Sequence, residues 1–483
     1  MNTTLLLIAN RDVAATDGAV FDRSNPLDGS IATRAAAASV ADARAAADAA
    51  AVALPLWSAL GPNARRGFLL KAADELEDRT GDFECSMAAE IGSTKLWAQF
   101  NVRLAASMLR EAASLTTQVG GEVIPSDQPG CFAWAVRRPA GVVLGIAPWN
   151  APVILGVRAV ATPLACGNTV VLKASEICPA THRLIGEALR AAGLPPGVIN
   201  VVTNAPAGAS DIVASLIAHP AVRRINFTGS TKVGRTIARL AAEQLKPALL
   251  ELGGKAPLVI LDDANLDQAV AAAAFGAYMN SGQICMSTEK LIVDERIAAR
   301  FVAQFRAKVA TLEAGDPSAS RAPLGSVVDA AAAARIRLLM DDAVNHGAEL
   351  FEAAAPRGTL LSAAILDRVT PAMRIYHEES FGPVVIVLRA ADDADAIRLA
   401  NDSAYGLTSA VFSRDVARAL SVAEQIHAGM CHINGPTVHD EAQMPFGGTK
   451  ESGYGRFGGT AGIAEFTELR WITLATAAGQ YPI

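Results

Sequence analysis

The chain has 483 residues, room for about three domain-sized units, and its 51% hydrophobic and 19% charged residues exclude a disordered chain. Lys and Arg total 42 against 48 Asp and Glu, a formal charge of −6, so no global field draws the chain to nucleic acid or anionic membranes. Six cysteines (Cys85, Cys131, Cys166, Cys178, Cys285 and Cys431) form no CxxC pair. They are too sparse for a disulfide framework, argue against a structural metal site and fit a reducing cytoplasm.

The N-terminal MNTTLLLIANRD has an apolar run too short for a signal-peptide core, and no basic residue precedes it. Residues 35–53, alanine-rich with spaced charges, predict a helix, and 64–118 continue in helical style. Between Arg138 and Arg158 stand 19 uncharged residues, long enough to span a bilayer. Pro139, Pro148 and Pro152 interrupt them, and Asn150 stands in the middle. A buried strand over 141–147, a turn and a buried helix start is therefore the reading, not a membrane span. Strands follow at 168–175, 198–203, 224–230 and 248–254, separated by helices near 153–166, 180–193, 208–218 and 231–245. Such alternation predicts an α/β fold with a parallel, doubly wound sheet. A second α/β series begins at 257–265, with helices near 266–280 and 297–312 and strands at 289–295, 383–390 and 409–415. CFAWAV (131–136) and LRWITLATA (469–477) are also strand-like.

Two glycine patterns mislead. Gly453, Gly455 and Gly458 fit GxGxxG, but they follow FGGTKES near the C-terminus rather than a strand early in a βαβ unit, so they read as a loop. GSTKVGRT (229–236) nearly fits a phosphate-binding loop of nucleotide hydrolases, with Arg235 in place of the required lysine. It does follow a strand and open a helix, where free N–H groups can hold a phosphate.

One cysteine has chemical company. Cys285 ends Asn280-Ser281-Gly282-Gln283-Ile284-Cys285, after Pro148-Trp149-Asn150 and Glu251-Leu252-Gly253-Gly254-Lys255. Glu378-Glu379-Ser380-Phe381-Gly382-Pro383, Asn401-Asp402-Ser403 and Pro445-Phe446-Gly447-Gly448 come later. These six motifs in this order resemble the aldehyde dehydrogenase superfamily, and the resemblance covers residues 20 to 475. The text around PWNAPVILGVRAVATPLACGNTVVLKASE is most similar to its bacterial aromatic-aldehyde branch.

That resemblance implies three parts: a Rossmann-variant NAD-binding domain (1–118 and 140–252), an α/β catalytic domain (253–450), and a small β oligomerisation element with a C-terminal segment (119–139 and 451–483). It implies oxidation of an aromatic aldehyde, salicylaldehyde first, with vanillin, benzaldehyde or transfer to coenzyme A as alternatives. The chemistry needs a nucleophile, an oxyanion donor and a base for water. The family's motifs assign these to Cys285, Asn150 and Glu251. NAD would be held by Trp149, Lys173, Glu176, Gly229, Ser230, Glu379 and Phe381, and the carboxylate of Glu176 would repel a 2′-phosphate. Trp97, Arg158, Met279, Ile284, Met286 and Phe446 would line the substrate pocket. Family members pair strands such as 131–136 and 469–477 between subunits, so a homodimer or a dimer of dimers is expected.

The chain departs from the family twice. Phe457 stands where many members carry a glutamate, which puts any proton relay through that position in doubt. Arg158-Ala159 replaces a tryptophan-lysine pair. A non-catalytic binding protein on the same fold would lack the cysteine, and coenzyme A-acylating relatives usually lack the glutamate; Cys285 and Glu251 are both present.

Overall fold

Short apolar runs become the centre of two parallel sheets in this computed structural model, which describes residues 3–476 and 481. The first has five parallel strands in the order Ile199–Val202, Thr169–Lys173, Val142–Ile146, Val222–Thr228 and Ala248–Glu251. Three of these five, including Thr169–Lys173, are buried at every residue, as expected when helices cover both faces. Helix Pro152–Ala165 is buried along its entire length, because helix Lys95–Leu115 packs over its outer side. The uncharged stretch before Arg158 thus splits between strand Val142–Ile146 and this helix. Among the described residues no helix is long and apolar enough to cross a membrane.

The second sheet runs Glu349–Glu352, Ala364–Asp367, Val384–Ala390, Thr288–Asp294, Ala256–Ile260, Thr408–Phe412 and Met430–Ile433. All neighbours are parallel except the first pair. Only Leu252 to Lys255 separate the last parallel strand of the first sheet from Ala256–Ile260 of the second. This short link brings the ends of both sheets to one cleft.

Several elements differ from the sequence reading. The helix expected from residue 35 begins at Val40, because Ile31–Ala36 pairs with Val20–Ser24 and Ser39 then caps the helix reciprocally with Asp42. The stretch 64–118 is three helices, Pro62–Asp78, Thr80–Ile91 and Lys95–Leu115. The N-terminus carries strands Leu6–Ile8 and Arg11–Val13, which extend the first sheet beyond Ile199–Val202. At the opposite edge Gly453–Tyr454 pairs with Leu250 and Glu251, so part of the glycine pattern near the C-terminus is a sheet edge. Cys131–Pro139 and Thr467–Ala475 pair antiparallel with each other inside one chain, where the sequence reading had such segments meeting between subunits. Gly121–Ile124 completes their three-stranded sheet. Residue 477 of the expected strand, and 477–480, 482 and 483 of the C-terminal segment, lie outside the described residues.

Asn168 ties these parts together. It is fully buried. Its Oδ1 accepts from Gly141 N at 2.9 Å, and its Nδ2 donates to Pro163 O at 3.0 Å and to Phe466 O at 2.9 Å. Asn168→Ala strands the buried Gly141 N–H, worth ~1–3 kcal/mol when unsatisfied, while Pro163 O still accepts from Asn168 N at 3.0 Å and Phe466 O from Ala140 N at 3.4 Å. Thermal unfolding should show a drop of a few degrees for Asn168→Ala, and a larger one for Asn168→Asp, which keeps the acceptor for Gly141 N but turns a buried carboxylate oxygen toward the Pro163 and Phe466 carbonyls.

Candidate active site

The segment before Cys285 is a strained turn. Helix Leu266–Tyr278 ends, and Asn280 (φ 51°) and Ser281 (φ 55°) adopt left-handed backbone, which costs on the order of 1–3 kcal/mol per residue. Side chains over-determine the turn. Asn280 Nδ2 donates to Asn150 O at 2.9 Å, Ser281 Oγ to Gly325 O at 3.1 Å and Gln283 Nε2 to Ser326 O at 3.2 Å. Gln283 Oε1 accepts from Val328 N at 2.9 Å. The link between the sheets then packs beneath Cys285. A Cβ at Gly254 would stand 2.4 Å from Cys285 O, and one at Gly253 would stand 2.7 Å from a Glu379 carboxylate oxygen. The backbone contact at Gly254 excludes any side chain, and one at Gly253 would push the Glu379 carboxylate aside, so the two glycines let the cysteine turn and the Glu379 side chain close on Glu251.

Two cavities meet at this point. One, of about 300 Å³, is lined by Trp149, Gly229, Ser230, Glu379 and Phe381 together with Glu251. The other, of about 420 Å³, gathers all six pocket candidates: Trp97, Arg158, Met279, Ile284, Met286 and Phe446. Asn150 and Cys285 line both. Lys173 and Glu176 line neither cavity; they pair with each other beyond the end of strand Thr169–Lys173, and Asn204 Nδ2 donates to Glu176 Oε1 at 2.9 Å. Ser230 Oγ caps helix Thr231–Glu243 from Val233 N at 3.4 Å. The rings of Trp149 and Phe381 meet edge to face at 5.7 Å. One Asn150 Nδ2 hydrogen goes to Gln283 O at 3.0 Å, and an amide nitrogen carries two. Trp97 Nε1 donates to Asn150 O at 3.0 Å, fixing the turn from the side of the larger cavity.

Burial dominates the electrostatics. It pushes the Glu251 carboxyl up to about 7; the Cys285 thiol, Arg158 and Thr228 pull it back, and Asp440 adds to the rise. Neither Glu251 oxygen has a hydrogen-bond partner among the described residues. Burial, and then the negative charge of Glu251, push the Cys285 thiol well above its ordinary range, with Arg158 opposing. Burial and the neighbouring Glu289 push Glu379 up to about 8, although its Oε1 accepts from Gly254 N at 2.9 Å. Burial would raise Glu176 too, but the charge and hydrogen bond of Lys173 carry it below the usual carboxylate range. A thiol facing an unpartnered carboxylate near neutrality can lose its proton to it, and an amide donor beside the thiol can hold a developing oxyanion.

Phe457 fills the place of the family's glutamate with an apolar ring. It is 3% exposed and exchanges two backbone hydrogen bonds with Phe446. The Arg158 guanidinium lies 4.1 Å from the Phe446 ring centroid and 5.8 Å from that of Phe457. Glu378 is exposed and pairs with Arg374 at 2.8 Å.

Sequence reasoning missed four residues. Asp440 pairs with Arg158 from 282 positions away. Arg335 lines the smaller cavity and donates to Glu379 O at 3.1 Å and Ser380 O at 2.7 Å. Lys255 and Glu289 form a buried pair at 2.5 Å, and Glu289 also accepts from Ser380 N and Phe381 N at 2.9 to 3.1 Å. Only Lys255 had a marker, its place in the ELGGK motif. The others depend on contacts between distant segments.

Glu289 therefore holds the turn that presents Glu379, in which Phe381 has φ 46°. Removing one partner of a buried pair costs ~3–5 kcal/mol. Glu289→Ala should lower the melting temperature and speed amide hydrogen exchange at Ser380 and Phe381 by at least about tenfold, ~1.4 kcal/mol of lost protection. Unchanged exchange at those two amides would show that the turn holds without Glu289.

Known proteins share this arrangement along the whole chain. Residues 13–472 match the aldehyde dehydrogenase family. A vanillin dehydrogenase of Pseudomonas fluorescens is 61% identical over 478 residues, 99% of each chain. A salicylaldehyde dehydrogenase of Pseudomonas putida is 50% identical over 480 residues, again 99% of each. The crystal structure of a salicylaldehyde dehydrogenase from Pseudomonas putida G7 complexed with salicylaldehyde superimposes with a TM-score of 0.98 at 48% identity, covering 100% of both chains. The six motifs around Cys285 and these full-length matches lead to one conclusion: the chain belongs to the aldehyde dehydrogenase family, and its activity is the NAD-dependent oxidation of aldehydes.

Proposed function

We propose that the aldehyde is aromatic, and that a vanillin-like benzaldehyde comes ahead of salicylaldehyde, which the sequence reading put first. The higher identity to the vanillin enzyme supports the change of order. The observation that carries the aromatic reading is the 420 Å³ cavity ending at Cys285, walled by Trp97, Phe100, Phe446, Met279 and Met286. Flat rings and adaptable thioethers suit a planar substrate.

Cys285 is the nucleophile in this reading, and Glu251 takes its proton. As the S–C bond forms, the carbonyl oxygen becomes an oxyanion, held by the second Asn150 Nδ2 hydrogen and the Cys285 N–H. NAD, when bound, supplies the hydride acceptor that leaves a thioester on Cys285. Glu251 first passes the Cys285 proton to solvent, then takes one from water as the water oxygen adds to the thioester; the C–S bond breaks to release the acid, and the departing thiolate takes the proton back from Glu251. That water step favours hydrolysis over transfer to coenzyme A.

The residues present fit NAD. Gly229 and Ser230 open a 13-residue helix, whose free N–H groups suit a pyrophosphate. The buried Lys173–Glu176 pair suits the hydroxyls of the adenosine ribose. Glu379, held from Gly254 N and flanked by Phe381 and Trp149, suits the nicotinamide ribose. The cofactor unit takes 1–118 and 140–252, the catalytic unit 253–450, and the oligomerisation element 119–139 and 451–483. Leu469 and Trp471 (74% exposed) stand on one face of the three-stranded sheet and Leu474 with its partner Phe132 on the other, all exposed, and these apolar residues support a homodimer or a dimer of dimers. The cytoplasm remains the proposed location.

Vanillin and salicylaldehyde should exceed acetaldehyde in kcat/KM by at least about tenfold, ~1.4 kcal/mol of transition-state binding, read as NADH absorbance. Phe446→Ala should lower the aromatic substrates more than acetaldehyde. Equal turnover of acetaldehyde by the wild type would overturn the aromatic reading and leave the dehydrogenase intact.

Glu251 sets the pH dependence. A base works above its pKa, so thioester hydrolysis should rise with pH through about 7 and flatten beyond. Glu251→Gln should still form NADH once, more slowly because the thiol must then lose its proton to solvent, and should stall as the acyl-enzyme and lose that limb, with a steady rate lower by ~10²–10⁴. A Gln variant with a normal steady rate would remove Glu251 from the water step.

A further inference from the structure

The apolar cavity next to Cys285 contains a buried ion pair. The Arg158 and Asp440 side chains are 6% and 7% exposed. Arg158 Nη2 donates to Asp440 Oδ2, while Asp440 Oδ1 is buried without a hydrogen-bond partner among the described residues. A carboxylate oxygen shut away from water lacks a donor, and such groups cost ~1–3 kcal/mol or more when left alone.

The pair lines the same cavity as Asn150 and Cys285. Ala151, Ile154, Leu155 and Arg158 all line it, spaced as one face at the start of helix Pro152–Ala165. Ala151 follows Asn150, beside the thiol, and Arg158 stands roughly 10 Å further along the axis at 1.5 Å per residue. The backbone positions that carry the two groups are thus separated along the axis by about the length of a substituted ring. Between them the wall is apolar.

We propose that Asp440 is a specificity-determining residue, which together with Arg158 binds a hydroxyl group on the substrate ring at a position remote from the aldehyde. This rests on the aromatic-aldehyde reading above. A phenol both donates and accepts. Its hydrogen goes to Asp440 Oδ1, and its oxygen accepts from Arg158. A methyl ether has no hydrogen to give and leaves Oδ1 unpaired. A ring carboxylate finds Arg158 already neutralised and meets the negative charge of Asp440. A hydroxyl next to the aldehyde stays at the Asn150 end and does not reach the pair. Hydrogen-bonding sites reject analogues that lack the group far more strongly than apolar pockets reject a missing methyl.

The test compares kcat/KM for benzaldehyde and its 4-hydroxy, 4-methoxy, 4-carboxy and 2-hydroxy derivatives, at a pH where the phenol keeps its proton. The wild type should favour 4-hydroxy over 4-methoxy and 4-carboxy by at least about tenfold. In Asp440→Asn the amide oxygen accepts from Arg158 and its NH₂ replaces the free acceptor. The 4-hydroxy to 4-methoxy ratio within that variant should fall about tenfold, and a ratio is unaffected by any general loss of activity. If the wild type treats the 4-hydroxy and 4-methoxy compounds alike, or Asp440→Asn keeps the wild-type ratio, the role of Asp440 is overturned while the aromatic reading stands. If no benzaldehyde is turned over, the aromatic reading itself fails. Should the variant not fold, the wild-type ratio decides alone.

Discussion

The active site depends on how closely two pieces of backbone approach at Gly253 and Gly254. The first sheet ends at Glu251 and the second begins at Ala256. Between them the chain must pass beneath the Cys285 carbonyl and beside the Glu379 carboxylate; a Cβ at Gly254 would block it, and one at Gly253 would displace the carboxylate. Everything reactive is referred to this crossing. Glu251 stands on its near side, Cys285 over it, and Glu379 bonded to the N–H of Gly254. The crossing is short, so the two sheets cannot shift without moving the carboxylate relative to the thiol. Preorganisation here is a consequence of connectivity as much as of side-chain contacts.

Around the crossing, four carboxylates are removed from water, and their partners distinguish them. Glu289 has a lysine and two backbone N–H groups, and holds the neighbouring turn in shape. Asp440 has an arginine on one oxygen only. Glu379 has a single backbone N–H. Glu251 has no hydrogen-bond partner among the described residues and stands near neutrality. The ranking follows function as proposed: the fully bonded carboxylate supports structure, those with a free oxygen face cavities, and the unpartnered one exchanges protons. Burial that would be a liability for a structural acid is what makes a base useful at neutral pH.

How much of this was legible in the sequence differs by level. The central strands read directly, because a strand buried on both faces must be a continuous apolar run, as TVVLK and INVV are. The N-terminal strands did not read, since three residues such as Leu6–Ile8 carry too little pattern and their pairing partner is near residue 200. The break in the helical stretch at 79–80 was equally silent, being a change of direction without proline. The motif residues could be assigned to cavities because each motif is local. Asp440, Arg335 and Glu289 could not, because their meaning arises only when segments tens to hundreds of positions apart come together.

Arg158 illustrates the same limit within one residue. The sequence shows an arginine in place of the family's tryptophan, and reading it alone suggests a cation facing the substrate. The fold supplies Asp440 and the two phenylalanine rings. The guanidinium is then neutralised on one side and stacked on the other, so it acts as a fixed set of donors rather than as a free charge. Phe457, where many members place a glutamate, belongs to the same exchange. An acid there would compete with Asp440 for the arginine, whereas an apolar ring leaves the Arg158–Asp440 pair intact. The two departures from the family are thus one rearrangement, in which a titratable position is given up and the wall of the cavity acquires a directional polar pair.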